Sequence, residues 1–299
     1  MQQIEMEEKQ ARVFLWCIPR CVSTAFEICM GKLDDVQVIN EPYLAAYLVG
    51  PVFQKDASDD IKEMRELSIN KVSSCTVVNC DNPWESENLT FGFVKDRLED
   101  EYPDKRVIFV KDMSYAINAE TLHMLPKGYK HAFLIRNPEK VFPSYKQLLN
   151  KFTTDEVILK VGKYEVVPEH YAFGESLHVY KHLTKTGIEP KPFIMDADDL
   201  LENPESILRQ FCAFAGIEYT DKLLSWDGGH DVTKHWKTSK EILQWNSIAE
   251  WHKNAFESKG FGKPTKAPLR SEMTDDVIHC IEASFPYYNQ LYELRAKIN

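Results

Sequence analysis

Short apolar blocks punctuate the chain at 12–17, 36–39, 75–79, 107–111, 131–136 and 192–195. Several run continuously, as in Val107-Ile-Phe-Val-Lys111 and His131-Ala-Phe-Leu-Ile-Arg136, rather than alternating with polar residues. That is the pattern of strands covered on both faces within a parallel sheet. Between the blocks, helical spacing occupies 23–32, 59–71, 138–149, 168–187, 204–215 and 273–284. Asn203-Pro204-Glu205 marks one helix start sharply, because Asn offers an oxygen to the first-turn amides and Pro has none to leave unpaired. Gly216 supplies the matching stop. Strand and helix signals in alternation predict an α/β fold, a central and mostly parallel sheet with helices on both faces.

No Gly/Pro/Ser-rich linker divides the sequence. It therefore reads as a polar tail over residues 1–11 followed by one domain over 12–299. Residues 221–271, with Trp226, Trp236, Trp245 and Trp251 and only weak periodicity, read as a lid or substrate-side segment of that domain.

Composition narrows the function. No run of 18 apolar residues occurs, and the polar start is followed by too short an apolar stretch for a signal peptide, so a soluble cytoplasmic protein is expected. The seven cysteines are an odd number without framework spacing, which suggests reduced thiols. A net charge of −10 argues against nucleic acid or any general polyanion as partner, yet leaves room for a small anionic ligand held by a few local cations. His178 and His182 suit a solvated helix face, and Asp196, Asp198 and Asp199 suit a polar turn, so no metal is expected.

Two stretches carry chemistry. In the first, Arg12-Val-Phe-Leu-Trp-Cys17 reads as a strand, Ile18-Pro-Arg-Cys-Val22 as a tight turn, and Ser23-Thr-Ala-Phe26 as the start of a helix. A turn ending at a helix N-terminus presents unpaired amides and a positive dipole end, which attract an anion. Arg20, Ser23 and Thr24 add a cation and two hydroxyls; taken alone, the stretch reads equally well as a capped turn. It is not a Walker loop, because no glycine occurs between residues 1 and 30 and the Lys-[Ser/Thr] pair is missing. In the second stretch, Leu134-Ile-Arg-Asn-Pro-Glu-Lys-Val-Phe-Pro-Ser144, Arg136 closes a strand and Ser144 follows little more than two helical turns later. A guanidinium fork with a hydroxyl suits a terminal phosphate. On its own this too fits a strand-end salt bridge.

Together, the two stretches resemble the motifs of the PAPS-dependent sulfotransferases, where PAPS is 3′-phosphoadenosine 5′-phosphosulfate. Pro19-Arg-Cys-Val-Ser-Thr24 resembles that family's 5′-phosphosulfate loop, and Arg136-Asn-x5-Pro-Ser144 its 3′-phosphate motif. Phe193-Ile-Met-Asp with Asn203-Pro204 and the Phe214-Ala-Gly216 ending, and Trp251-His-Lys-Asn-Ala-Phe256, are similar to two later family segments. The resemblance implies a P-loop-like sulfotransferase fold and in-line, metal-independent transfer from PAPS to a small-molecule hydroxyl, leaving PAP. It implies that Arg20, Cys21, Val22, Ser23, Thr24 and Ala25 hold the 5′ end, that Arg136 and Ser144 hold the 3′-phosphate, and that Lys111 belongs to the catalytic segment. The usual family histidine is replaced in Lys111-Asp-Met113, which leaves Glu41 and then Asp112 as expected bases. The family's Arg-Lys-Gly is replaced by Gln244-Trp-Asn246, so Lys234, Lys237, Lys240 and Lys253 are the expected substitutes. Tyr43, Tyr47, Phe53, Trp84 and the 226–251 tryptophans are expected to line the acceptor pocket. A nucleotide-binding relic without catalysis and an ATP-dependent phosphotransferase are the competing readings.

Overall fold

The structure, a computed structural model, describes residues 10–51, 80–81, 83–151, 156–161, 167–243 and 252–298. The helix expected at 59–71, the strand expected at 75–79, and Phe53, Trp245 and Trp251 lie outside them. Five strands form one parallel sheet: β1 (Ala11–Cys17), β2 (Val36–Asn40), β3 (Val107–Met113), β4 (Lys130–Ile135) and β5 (Phe193–Asp196), in the order β2-β3-β1-β4-β5.

The central position of β1 follows from its sequence. Val13, Phe14, Leu15 and Trp16 are all fully buried, so both faces of the strand need cover. One face carries Phe14 and Trp16. Phe14 stacks near Tyr43 of α2 (Pro42–Val49), while Phe133 of β4 meets Tyr180 of α5 (Phe173–Thr186). The other face presents Phe109, which clusters with Phe26 of α1 (Ser23–Met30) and Phe211 of α7 (Pro204–Ala215). α4 (Pro138–Leu149) and α9 (Asp275–Glu293) pack against each other, and α9 also packs on α5.

The local signals act as expected at α7. The Asn203 side chain accepts from Ser206 N at 3.1 Å, and Gly216 turns the chain at φ 73°. Among the described residues, four helices were not legible. α2 reads Pro-Tyr-Leu-Ala-Ala-Tyr-Leu-Val, apolar almost all round, so no polar face betrays a period. α3 (Phe91–Glu99), the short α6 (Ala197–Glu202) and the short α8 (Lys253–Glu257) are the others; the acidic turn expected at 196–199 is the start of α6. Asp196 caps it by accepting from Asp198 N, Asp198 pairs with Lys140 at 2.6 Å, and Asp199 pairs with Arg295 at 2.6 Å. α5 begins at 173 rather than 168 because Tyr171 and Ala172 are left-handed, and α9 runs on through Pro286 to Glu293. Within the segment 221–271, expected as a lid or substrate-side element, the part before residue 244 is joined to the sheet: Asn40 N donates to Lys237 O, and Trp226 and Trp236 are buried.

His131 sits inside β4 with no solvent exposure, and its Nδ1 accepts from Trp16 Nε1 at 3.2 Å. Burial pushes its pKa down from 6.5 to about 3. The folded state thus favours neutral His131, and that contribution is complete above pH 6.5. It is lost as pH falls toward 3, because only the unfolded chain takes up the proton. Between pH 6.5 and 5.5 the wild type should lose about 1 kcal/mol more stability in urea unfolding than His131→Phe. Equal losses would contradict this reading.

Candidate active site

Register brings distant residues together. Cys17 at the end of β1 lies opposite Met113 of β3 and Leu134 of β4, so the segments leaving these strands emerge side by side. Asn40 pairs with Lys111, which delivers Glu41 to the same edge. The chain turns in opposite directions on the two sides of β1, and such a switch point opens a crevice at the carboxyl ends of the strands.

The β1–α1 turn has an unusual backbone. Arg20 and Val22 take left-handed φ values of 61° and 63°, although neither is glycine. Each such residue costs roughly 1–3 kcal/mol, and Val is among the worst suited. Support comes from over a hundred residues away. Arg136 Nη1 donates to the Arg20 carbonyl at 2.9 Å, and Arg20 Nε donates to Ser144 Oγ at 3.0 Å. Val22 precedes α1 and has no side-chain oxygen with which to cap it. The first-turn amides of Ser23, Thr24 and Ala25 are therefore left for an anion. Burial first, and then the adjacent Arg136 charge, depress the Arg20 pKa. The Cys21 side chain is fully buried, so its part in any anion site falls to its backbone.

A buried ion cluster lies beside this turn. Lys111 Nζ contacts Glu41 Oε1 and lies 3.7 Å from Glu27 Oε2, and all three side chains are buried. Asn40 Nδ2 donates to both Glu27 oxygens, at 3.0 and 3.1 Å. Burial alone would lower the Lys111 pKa, but Glu41 and Glu27 outweigh it and hold the ammonium protonated. Burial raises Glu27 to about 8, against the pull of Lys111. Glu41 itself is left-handed at φ 50° and immediately precedes α2.

These parts share one cleft of about 560 Å³. Arg20, Cys21, Val22, Ser23, Thr24, Ala25, Glu41, Lys111, Arg136 and Ser144 all line it. Asp112 does not. One residue past Lys111 on the strand, it points to the opposite face and accepts from the backbone amides of Tyr43 (2.6 Å), Leu44 (3.1 Å) and Met113 (2.8 Å). With no exposure and three amides to satisfy, Asp112 holds the first turn of α2, and the expectation of a second base is corrected. Of the described residues on the wall, none is Lys234, Lys237, Lys240 or Lys253. Lys263 and Lys266 are there instead, on the irregular stretch that also brings Thr265 Oγ1 to 3.5 Å from Arg136 Nη2. The expected aromatics are displaced too. Tyr43 is buried against Phe14, and the half-buried Trp84 meets Phe93 edge to face, whereas Tyr115, Tyr145 and Phe261 face the cleft.

His252 was also missed. Its Nδ1 lies 2.9 Å from Thr24 Oγ1, and burial, Lys111 and Arg20 all push its pKa down. The available signal was the extra His in Trp251-His-Lys-Asn254. For Lys263 and Lys266 it was a pair of lysines set among glycine and proline, which has no periodicity to read.

A profile of the sulfotransferase domain family matches residues 101–296, and the chain belongs to that family. The match takes in Lys111, Arg136, Ser144 and His252, while the β1–α1 turn and Glu41 lie upstream of it. Two curated proteins of Arabidopsis thaliana, branched-chain-amino-acid aminotransferase-like proteins 1 and 2, are 24% and 25% identical over 92% and 93% of this chain. The chain spans only 40% and 41% of their lengths. Among solved structures, the sulfotransferase domain of the curacin biosynthetic pathway aligns at TM-score 0.45, with 14% identity over 92% of this chain and 97% of its own. The sulfotransferase domain of the Synechococcus PCC 7002 olefin synthase aligns at TM-score 0.46, with 16% identity over 94% and 97%.

Removing Lys111 alone strands two buried carboxyl groups. Lys111→Met should cost about 3–5 kcal/mol in denaturant unfolding. Adding Glu41→Gln should recover part of that loss, giving a positive coupling in the double-mutant cycle. Strictly additive effects would show that the pair is not an energetic unit.

Proposed function

We propose that this sulfotransferase-family protein uses PAPS as donor and a hydroxyl of a small molecule as acceptor. The observation that carries this reading is the joining of the two anion motifs across the cleft, Arg136 to the Arg20 carbonyl and Arg20 to Ser144. The donor has an anionic group at each end, and the cleft is equipped for both. At the 5′ end stand the α1 amides, Ser23, Thr24 and Arg20. At the 3′ end stand Arg136, whose buried Nε has no partner among the described residues, and Ser144, with Lys263 and Lys266 on the same wall.

PAPS supplies an activated sulfur. As the acceptor oxygen bonds to it, the bond from sulfur to the bridging phosphate oxygen breaks and the electron pair stays on the phosphate. Arg20 and the α1 amides stabilise the charge that develops there. Glu41, on the cleft wall beside Lys111, receives the acceptor's proton, and its contact with Lys111 holds that carboxylate in place. Tyr115, Met113 and Leu44 line the cleft together with Glu41 and shape the acceptor side.

An ATP-dependent phosphotransferase would lack the Walker Lys-[Ser/Thr] pair here. Aminotransferase chemistry, which the relatives' names suggest, calls for a lysine amine free to form a Schiff base, whereas Lys111 is held as an ammonium by two acids.

Calorimetry with PAP, ADP and ATP separates the donors. PAP should bind about 100-fold more tightly than ADP, a difference Arg136→Ala should largely erase. A preference for ATP would overturn the reading. With labelled PAPS and a panel of hydroxyl acceptors, Glu41→Gln should lower turnover roughly 100-fold or more while PAP affinity changes little. Unchanged turnover would remove Glu41 as the base.

A further inference from the structure

His252 reaches the cleft from the residue preceding α8 (Lys253–Glu257), which packs against α1. Among the described residues, its Nδ1 alone is engaged, with Thr24 Oγ1 at 2.9 Å; Nε2 is buried and has no hydrogen-bond partner among them. The Phe256 ring lies against the imidazole at a centroid distance of 5.7 Å, edge to face. A buried ring nitrogen without a partner is costly to keep, which is expected where a ligand completes its bonding. The charged groups acting on the ring are Lys111 from β3 and Arg20 from the β1–α1 turn, both cationic. Glu41 and Glu27 are paired with Lys111. Burial and these two cations keep His252 neutral.

We infer that His252 is a donor-binding residue, held through Nδ1 by Thr24, that takes up one proton as the nucleotide enters and gives Nε2–H to an oxygen of its 5′-phosphate group. The inference rests on the reading that the cleft holds PAPS and PAP. Incoming phosphate charge offsets Lys111 and Arg20 and so removes what opposes an imidazolium. The protonated ring then donates at both nitrogens. Nδ1–H goes to Thr24 Oγ1, which leaves the Thr24 hydroxyl hydrogen free for the ligand, and Nε2–H goes to the phosphate. The proton comes from solvent and returns there when the nucleotide leaves. Over the transfer step the imidazolium lies beside the phosphate that gains charge, so it acts with Arg20 on the leaving group.

Titration of PAP into the full chain at pH 7.5, in buffers of differing ionisation enthalpy, reads the proton directly. The wild type should take up close to one proton per PAP, and its PAP affinity should fall between pH 7 and 9. His252→Asn, which can keep a polar contact to Thr24, and His252→Phe, which cannot, should both take up markedly less and bind PAP about tenfold more weakly with a flatter pH profile. Uptake unchanged in both variants, or no uptake by the wild type, overturns the assignment to His252 while leaving the donor reading intact. Failure of the wild type to bind PAP at all overturns both. Because the wild-type uptake and pH profile are measured without any substitution, a variant that fails to fold does not shield the inference.

Discussion

The contact between Arg136 and the Arg20 carbonyl is the constraint on which the cleft depends. A glycine-free turn with Arg20 and Val22 both left-handed does not hold that shape from local preference. It is held because β1 and β4 are neighbours, with Cys17 level with Leu134, so Arg136 leaves its strand beside the strained carbonyl. Strain in the β1–α1 turn is thereby offset by Arg136, the residue that opens the second stretch on the cleft wall. The two halves of the site are a single structure, although 116 residues separate Arg20 from Arg136.

β3 applies a similar economy through side-chain alternation. Lys111 points to the face where α1 brings Glu27, and there it anchors Glu41. Its neighbour Asp112 points the other way and fixes the first turn of α2. Because Glu41 immediately precedes α2, both residues bear on where its carboxylate sits, one through charge and the other through the backbone. The cluster also sets the electrostatics of the cleft. Burial, Lys111 and Arg20 together oppose protonation of His252, so positive potential gathers at this end of the cleft.

Much of this was legible in the chain. The continuous apolar runs gave the parallel strands, and the Asn203-Pro204 and Gly216 signals gave α7, because each depends on chemistry within a few residues. The residues of the β1–α1 turn and of the Arg136–Ser144 stretch, which share the cleft wall, were legible as well, since hydroxyls, an Arg and a helix start occur in close sequence. What stayed hidden depends on tertiary placement. The α2 helix has no polar face to give its period away, and Asp112 looked like a base until the backbone amides it satisfies were in view. His252, Lys263 and Lys266 reach the cleft only because the chain returns over α1 after residue 251. The tryptophans expected at the acceptor pocket, Trp226 and Trp236, are core residues: aromatic content alone does not distinguish a pocket wall from packing.

The central claim is that a single nucleotide bridges the two motifs, and a crystal structure of the PAP complex tests it most directly. The account predicts the 5′-phosphate on the amides of Ser23–Ala25 with Thr24, and the 3′-phosphate on Arg136 and Ser144, in the same cleft. A complex with PAP bound elsewhere, or with its 3′-phosphate clear of both Arg136 and Ser144, would contradict it.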